Sequence, residues 1–431
     1  VGYAAMSRRV VNTGAFYTYI ARGLGKPPAV GGALVAVIAY NAMAVGLLGA
    51  FGYFGNIALQ QDFSINVPWQ VCAAVGLVAT AAFGYRKVDI SARVLAVLML
   101  AEIAILLILD LAVIGDRGGA ALPTTSFTSH TIFSSGGSLG LGMMFAFVSF
   151  IGFESAALYG EESRNPARSI PLGTYISVAL IAVFYGFTSW VAVGAVGADK
   201  LQAVAGKQLG NLFFALNTQY VSSFLTKVMT LLLVTSLFAS LLALHNAASR
   251  YMFALGRERI LPRFLGVAHG RHQAPSRASL LQTAVNIAVV AAFAIAGSDP
   301  YLSLATTMLG LGTIGIVVLQ AAASFSVIGF FRARPDRHWW KTLLAPLLGG
   351  LGLIAASVLV AANYSKLTGS SSSLVNSLPW MLAAVAVGGV AYALWLRANR
   401  REVYAQLAGA EAEADPSPPA QRRAKIAAEV V

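Results

Sequence analysis

Ten long stretches of this chain are almost devoid of lysine and arginine, and that pattern constrains the fold more than any other feature. They run approximately over residues 28–59, 68–85, 94–114, 139–160, 170–198, 221–255, 278–297, 301–331, 342–364 and 375–396. Crossing ~30 Å of hydrocarbon takes about 20 helical residues. Backbone groups that face lipid need partners within their own segment, so the stretches are predicted to be helices. The longest are read as tilted, or as extending past the bilayer. Composition agrees: 57% of residues are hydrophobic and 11% charged, against about 25% charged in a soluble domain. A chain this apolar cannot cover a globular surface with polar groups. An all-α integral membrane protein follows, and water-soluble folds are excluded.

The formal charge is +13. On a soluble protein such a balance points to nucleic acid, but the distribution of the charges points elsewhere. One set of alternate loops, together with the C-terminal tail, carries 25 of the 30 Lys and Arg residues; the other set carries five, Arg117, Lys200, Lys207, Lys227 and Lys366. This is a strong positive-inside asymmetry and predicts that both ends of the chain are cytoplasmic. The basic residues are dispersed loop anchors rather than one patch with interleaved aromatics, so no nucleic-acid partner is expected. Cys72 is the single cysteine, and His269 and His272 sit in a basic loop, so no disulfide, metal site or cofactor is expected. No phosphate loop, nucleophile elbow or zinc motif is present.

The chain opens on small apolar residues followed by Ser7-Arg8-Arg9, the reverse of a secretory signal. Residues 1–7 are read as the end of a membrane helix whose beginning is absent, and residues 8–27 as a cytoplasmic loop. In it, 12–25 is a short interfacial stretch with Phe16, Tyr17 and Tyr19. Residues 28–396 form the ten-span unit. Residues 397–431 form a cytoplasmic tail, largely disordered by composition around Pro416, Pro418 and Pro419.

Polar groups inside spans are where function is sought. Glu154 follows Gly152-Phe153 in an apolar run; an acid at the bilayer centre costs on the order of 2.5–3.5 kcal/mol. A small residue beside a buried acid is consistent with a helix that unwinds in mid-membrane and presents backbone groups to a substrate. A close-packed Gly and a Glu paired with a neighbouring helix is the other reading. Glu102, mid-span in 94–114, is either a proton-coupling acid or a structural hydrogen-bond partner. Asp110, nearer the outer end, is expected to reach water. Asn41 is placed to bond substrate or to join two helices. His245 is expected to be packed and hydrogen-bonded. Ser236, Ser240 and Thr306 either line a cavity or bond their own helix.

Three segments carry a family likeness. Ser149-Phe150-Ile151-Gly152-Phe153-Glu154-Ser155, continued by Glu161-Glu162-Ser163-Arg164-Asn165-Pro166-Ala167-Arg168-Ser169-Ile170-Pro171, resembles the signature of amino acid–polyamine–organocation (APC) permeases. Ala254-Leu255-Gly256-Arg257-Glu258-Arg259-Ile260-Leu261-Pro262 is similar to that family's loop after the eighth helix, and Gly14-Ala15-Phe16-Tyr17 to its loop between the second and third. The resemblance implies a LeuT-type inverted-repeat transporter bundle of twelve helices, incomplete here, in which the ten spans are helices three to twelve. It implies an amino acid or amine as small-molecule substrate, moved across the cytoplasmic membrane by alternating access, with the lipid bilayer as surround. Residues 139–160 then form the broken sixth helix. Phe150, Ile151, Gly152, Phe153 and Ser155 become substrate-binding candidates with Asn41, Ser236, Ser240 and Thr306, and Glu154 and Glu102 become coupling or gating candidates. Asn41 is similar to an Asn that contacts substrate in the arginine/agmatine exchangers. Their gating Trp falls on Val148, leaving Phe147 or Phe150 for that role, and Glu102 lies near where some proton-coupled members keep a Lys. The family's Gly-rich first helix precedes Val1, so the residues present are expected not to transport by themselves. A transporter-like sensor that binds without moving its ligand, or an amine/polyamine exchanger, is the alternative reading.

Overall fold

The computed structural model describes residues 1–10, 15–86, 92–128, 139–153, 165–268, 274–369 and 372–408. Every regular element among them is helical. In chain order the helices are α1 (Gly2–Ser7), α2 (Ala15–Leu24), α3 (Lys26–Phe63), α4 (Trp69–Arg86), α5 (Ala92–Arg117), α6 (Leu139–Phe150), α7 (Pro166–Val196), α8 (Leu201–Gln208), α9 (Leu212–Tyr220), α10 (Ser223–Arg257), α11 (Ser276–Ile295), α12 (Thr306–Phe331), α13 (Ala345–Ala362), α14 (Tyr364–Thr368), α15 (Ser373–Asn399) and α16 (Arg401–Gln406). Single π-helical turns at Pro300–Ala305 and Trp339–Leu344 lead into α12 and α13.

Eight helices are long and apolar enough to cross a membrane, among the described residues: α3, α5, α7, α10, α11, α12, α13 and α15, of which α5, α12 and α13 are extended by flanking turns. The chain is thus a multi-pass membrane protein. The other two expected stretches give shorter helices. Trp69–Tyr85 is apolar but falls below spanning length, and α6 has 12 residues.

The core forms around α3. Pro in its first turn fixes φ where the missing N–H is not needed, and Ser64, in the left-handed region, ends it. Small residues along its length let α10, α12 and α15 approach closely. Phe16, Tyr40, Tyr251, Leu311 and Leu396, drawn from five elements, meet in one buried cluster. A second close approach joins α2 to α12: a Cβ on Gly23 would collide with the Ser326 carbonyl, and one on Gly329 with the Gly23 carbonyl. The outside of the bundle is the reverse of a soluble surface. Val97, Leu111, Val183 and Val387 are each at least 66% exposed, which is stable only against lipid.

One end of the bundle is basic and closely tied together. Arg9 pairs with Asp336 at 2.7 Å. Lys26 Nζ donates to the Tyr404 and Ala405 carbonyls at 2.9 and 2.7 Å. Tyr17 Oη donates to Glu258, and the Ala408 N–H donates to both Glu258 Oε2 (2.9 Å) and Tyr17 Oη (2.8 Å). The opposite end is closed by Arg117 donating to the Gly194 carbonyl (2.7 Å) and by the stacked rings of Tyr53 and Tyr301.

Candidate functional site

Helix α6 stops in the interior of the expected span. The Ile151 N–H turns back to the Val148 carbonyl at 3.1 Å, a tightened last turn, and Gly152 then adopts φ +112. Residues other than glycine rarely adopt that conformation. Val148 and Ile151 pack on the main core, and the Phe153 ring lies 5.9 Å from that of Tyr3. Glu154 and Ser155 lie outside the described residues.

Beside α6, a cavity of about 900 Å³ opens among α5, α7, α9 and α10. Phe145, Phe150, Tyr185, Phe213 and Tyr301 give it aromatic walls. Its one carboxylate, among the described lining residues, is Glu102, half-buried and accepting from Ser236 Oγ at 3.0 Å. Ser149 also lines it, with its hydroxyl turned to the Phe145 carbonyl (2.9 Å). Such a space suits a ligand with an apolar body and a single amine or polar end.

The predicted site residues therefore divide. Glu102, Ser236 and Phe150 come together at the cavity, whereas Asn41, Ile151, Gly152, Phe153, Ser240 and Thr306 do not line it. Asn41 is buried in α3; its Nδ2 donates to the Val37 carbonyl at 2.7 Å, and its Oδ1 has no partner among the described residues. Thr306 donates to its own helix at the Leu302 carbonyl (2.5 Å), and Ser240 is exposed. Of the two aromatic gate candidates in α6, Phe150 lines the cavity and Phe147 does not. His245 is packed as expected, 1% exposed, with Nε2 2.7 Å from Ser279 Oγ.

Asp110 departs from expectation. It does not reach water: it is 2% exposed and accepts from Thr188 Oγ1 at 2.7 Å. Sequence position placed it near the end of α5, but α7 packs over that turn and covers it laterally. Thr188 also lines the cavity, so α5 carries two acids, eight residues apart, toward α7 and α10. Tyr185, Thr188 and Tyr301 were not singled out from sequence. Thr in an apolar span usually bonds its own backbone and Tyr usually packs by its ring, so no sequence signal separates these from the rest.

The comparisons with known proteins bear on this arrangement as a whole. The family model described as amino acid permease matches residues 2–391. A stretch of 210 residues is 30% identical to an uncharacterized transporter of Mycobacterium tuberculosis, covering 48% of this chain and 43% of that protein. The branched-chain amino acid permease BcaP of Bacillus subtilis is 23% identical over 93% of this chain and 83% of its own length. The cationic amino acid transporter 4, vacuolar, of Arabidopsis thaliana is 27% identical over 64% of this chain and 47% of its own. The match thus spans less than half the length of the first and last of these relatives. Among solved structures, a manganese transporter variant of Eremococcus coleocola aligns with a TM-score of 0.40 and 15% identity, covering 93% of this chain and 94% of that one.

Proposed function

The chain belongs to the amino acid permease family, and from that premise we propose that it is a secondary transporter carrying an amino acid or related amine by alternating access. The observation that carries this reading is the end of α6 at Phe150, with Gly152 in a left-handed conformation. A helix interrupted inside a membrane bundle frees backbone groups that can hold a substrate's charged ends. The break falls within the segment Gly152-Phe153-Glu154, where the chain resembles the family signature. Membership supports the LeuT-type arrangement, with the break as the unwound part of the sixth helix.

In this reading substrate sits at the break, Asn41 Oδ1 serves as one of its polar contacts, and Glu154 and Glu102 hold or exchange a proton. The aromatic cavity, with Glu102 the one carboxylate among its described lining residues, supports an amine-bearing ligand. The basic end of the bundle is the cytoplasmic one, and the membrane is the cell membrane. No enzymatic step is assigned.

The test is uptake. Proteoliposomes holding the whole protein should accumulate a radiolabelled amino acid saturably, faster with an inward proton gradient. Glu154→Gln should remove the gradient's effect. Saturable binding with no flux would make the protein a sensor and end the transport reading.

A further inference from the structure

Three arginines meet in a cleft at the basic end for which transport gives no task. The cleft has a volume of about 390 Å³. One wall is the turn after α10, with Arg259, Pro262 and Arg263; the other is the corner between α15 and α16, with Tyr392, Arg400 and Val403. Among the described residues, no carboxylate lines it and none of the three arginines forms an ion pair. The adjacent acid, Glu258, is turned inward to Tyr17 and the Ala408 N–H. Glu402, on α16, is not part of the lining.

The walls are fixed in place. Behind the arginines, Ile260 and Leu396 are buried in the main core. The Ile260 and Leu261 N–H groups both bond the Leu255 carbonyl, at 3.0 and 3.2 Å, and the Arg259 N–H bonds the Gly256 carbonyl at 3.2 Å. The turn thus holds Arg259 and Arg263 beside the end of α15. Guanidinium groups held this way gather mutual repulsion that a multivalent anion relieves. Their planar forks match phosphoryl oxygens better than they match a simple halide.

The depth of the cleft narrows the ligand further. Tyr392 and Trp395 stack at 6.0 Å and 13°, and the Arg400 guanidinium lies 5.8 Å from the centre of the Trp395 ring. Tyr and Trp at the end of a spanning helix mark the membrane interface, so the cleft opens at the level of lipid headgroups. Basic pockets between helices at that level suit phosphate-bearing headgroups.

We propose that the cleft formed by Arg259, Arg263 and Arg400 binds a phosphoryl anion, clamping the turn after α10 to the start of the C-terminal segment. The oxygens come from an anionic phospholipid headgroup or from free phosphate. The site stands apart from the cavity and the α6 break and does not depend on which substrate is carried.

The experiment is a thermal-stability titration of the full chain in neutral detergent. Three probes are compared: dihexanoyl phosphatidylglycerol, dihexanoyl phosphatidylcholine (whose choline cancels the charge) and inorganic phosphate. A ligand that binds only the folded state raises Tm as its concentration passes Kd. Phosphatidylglycerol or phosphate should give a saturable rise that phosphatidylcholine does not match. Arg263→Gln and Arg400→Gln should each shift half-saturation by about tenfold. Arg334→Gln, an exposed arginine of the same end that stacks on Phe330, should leave it unchanged. A rise with phosphatidylglycerol alone assigns the lipid; a rise with phosphate as well assigns the phosphoryl group itself. All three arginines are exposed, so the unliganded Tm of each variant should stay near the parent's and report intact folding. No saturable rise with either anion, or a rise that both cleft variants retain, overturns the proposal.

Discussion

Glu102 and Asn41 each keep an acceptor in the apolar bundle that the protein alone does not fully use. Glu102 has one hydroxyl donor, Ser236, and faces a cavity; Asn41 Oδ1 has no partner among the described residues. Glu102→Gln preserves the shape and removes the charge. Proton-driven accumulation is expected to fall by at least about tenfold, while substrate counterflow, which needs no net proton movement, continues. Asn41→Ala removes the open Oδ1 acceptor together with the Nδ2 bond to the Val37 carbonyl of its own helix. One hydrogen bond is worth about 0.5–1.5 kcal/mol, so the uptake KM should rise up to about tenfold with little change in maximal rate. Both were visible as candidates because an ionisable or amide group in an apolar run stands out at once. Asp110 was visible but misplaced. Linear position gives depth along a helix and says nothing of the neighbour that covers it, here α7 through Thr188.

At the scale of elements, the chain's second helix, the foot of α10 and the C-terminal segment share one half-buried carboxylate. Glu258 Oε2 receives Tyr17 Oη and the Ala408 N–H, and Leu407 beside them is fully buried. Burial raises the Glu258 pKa above the ordinary 4.5, and the donors from Tyr17 and Ala408, with the charges of Arg257 and Lys26, offset it only in part. The folded chain therefore holds this proton more tightly than the unfolded one. The stability this group contributes is greatest below pH 4.5 and is lost as pH rises through the raised value. Glu258→Gln keeps an acceptor for both donors without the charge, so its Tm should vary less with pH over that window than the parent's. Tyr17→Phe leaves the carboxylate with one donor fewer and should lower stability by about 1–3 kcal/mol. A steeper pH dependence in the glutamine variant would rule out this account. The junction was hidden in the sequence, since its partners are up to 391 residues apart. The end of α6 was readable, because Gly152 beside an acid in an apolar run is a local signal.

For the whole molecule, eight of the ten expected stretches give helices of spanning length among the described residues, readable because lipid imposes one rule on every segment that crosses it. Lateral packing escapes that rule. The close approach of α2 to α12 rests on Gly23 and Gly329, whose neighbours are backbone carbonyls that cannot swing away. Gly329→Ala should force the two helices apart and cost about 1–3 kcal/mol, read as a lower Tm of the purified protein.

The orientation of the whole bundle admits a direct test, because Cys72 is the only cysteine and is buried. In a Cys72→Ala background, single cysteines can be placed at either end without competing thiols. Lys200 lies exposed between α7 and α8, and Arg334 lies exposed after α12 at the basic end. If the excess of arginine marks the cytoplasmic face, Lys200→Cys should react with a membrane-impermeant maleimide in intact cells. Arg334→Cys should react only after the membrane is opened. The reverse labelling would invert the topology. It would also set the arginine cleft and the Tyr17–Glu258–Ala408 junction facing outward, where neither a cytoplasmic phosphate pool nor a cytoplasmic-leaflet lipid could reach them.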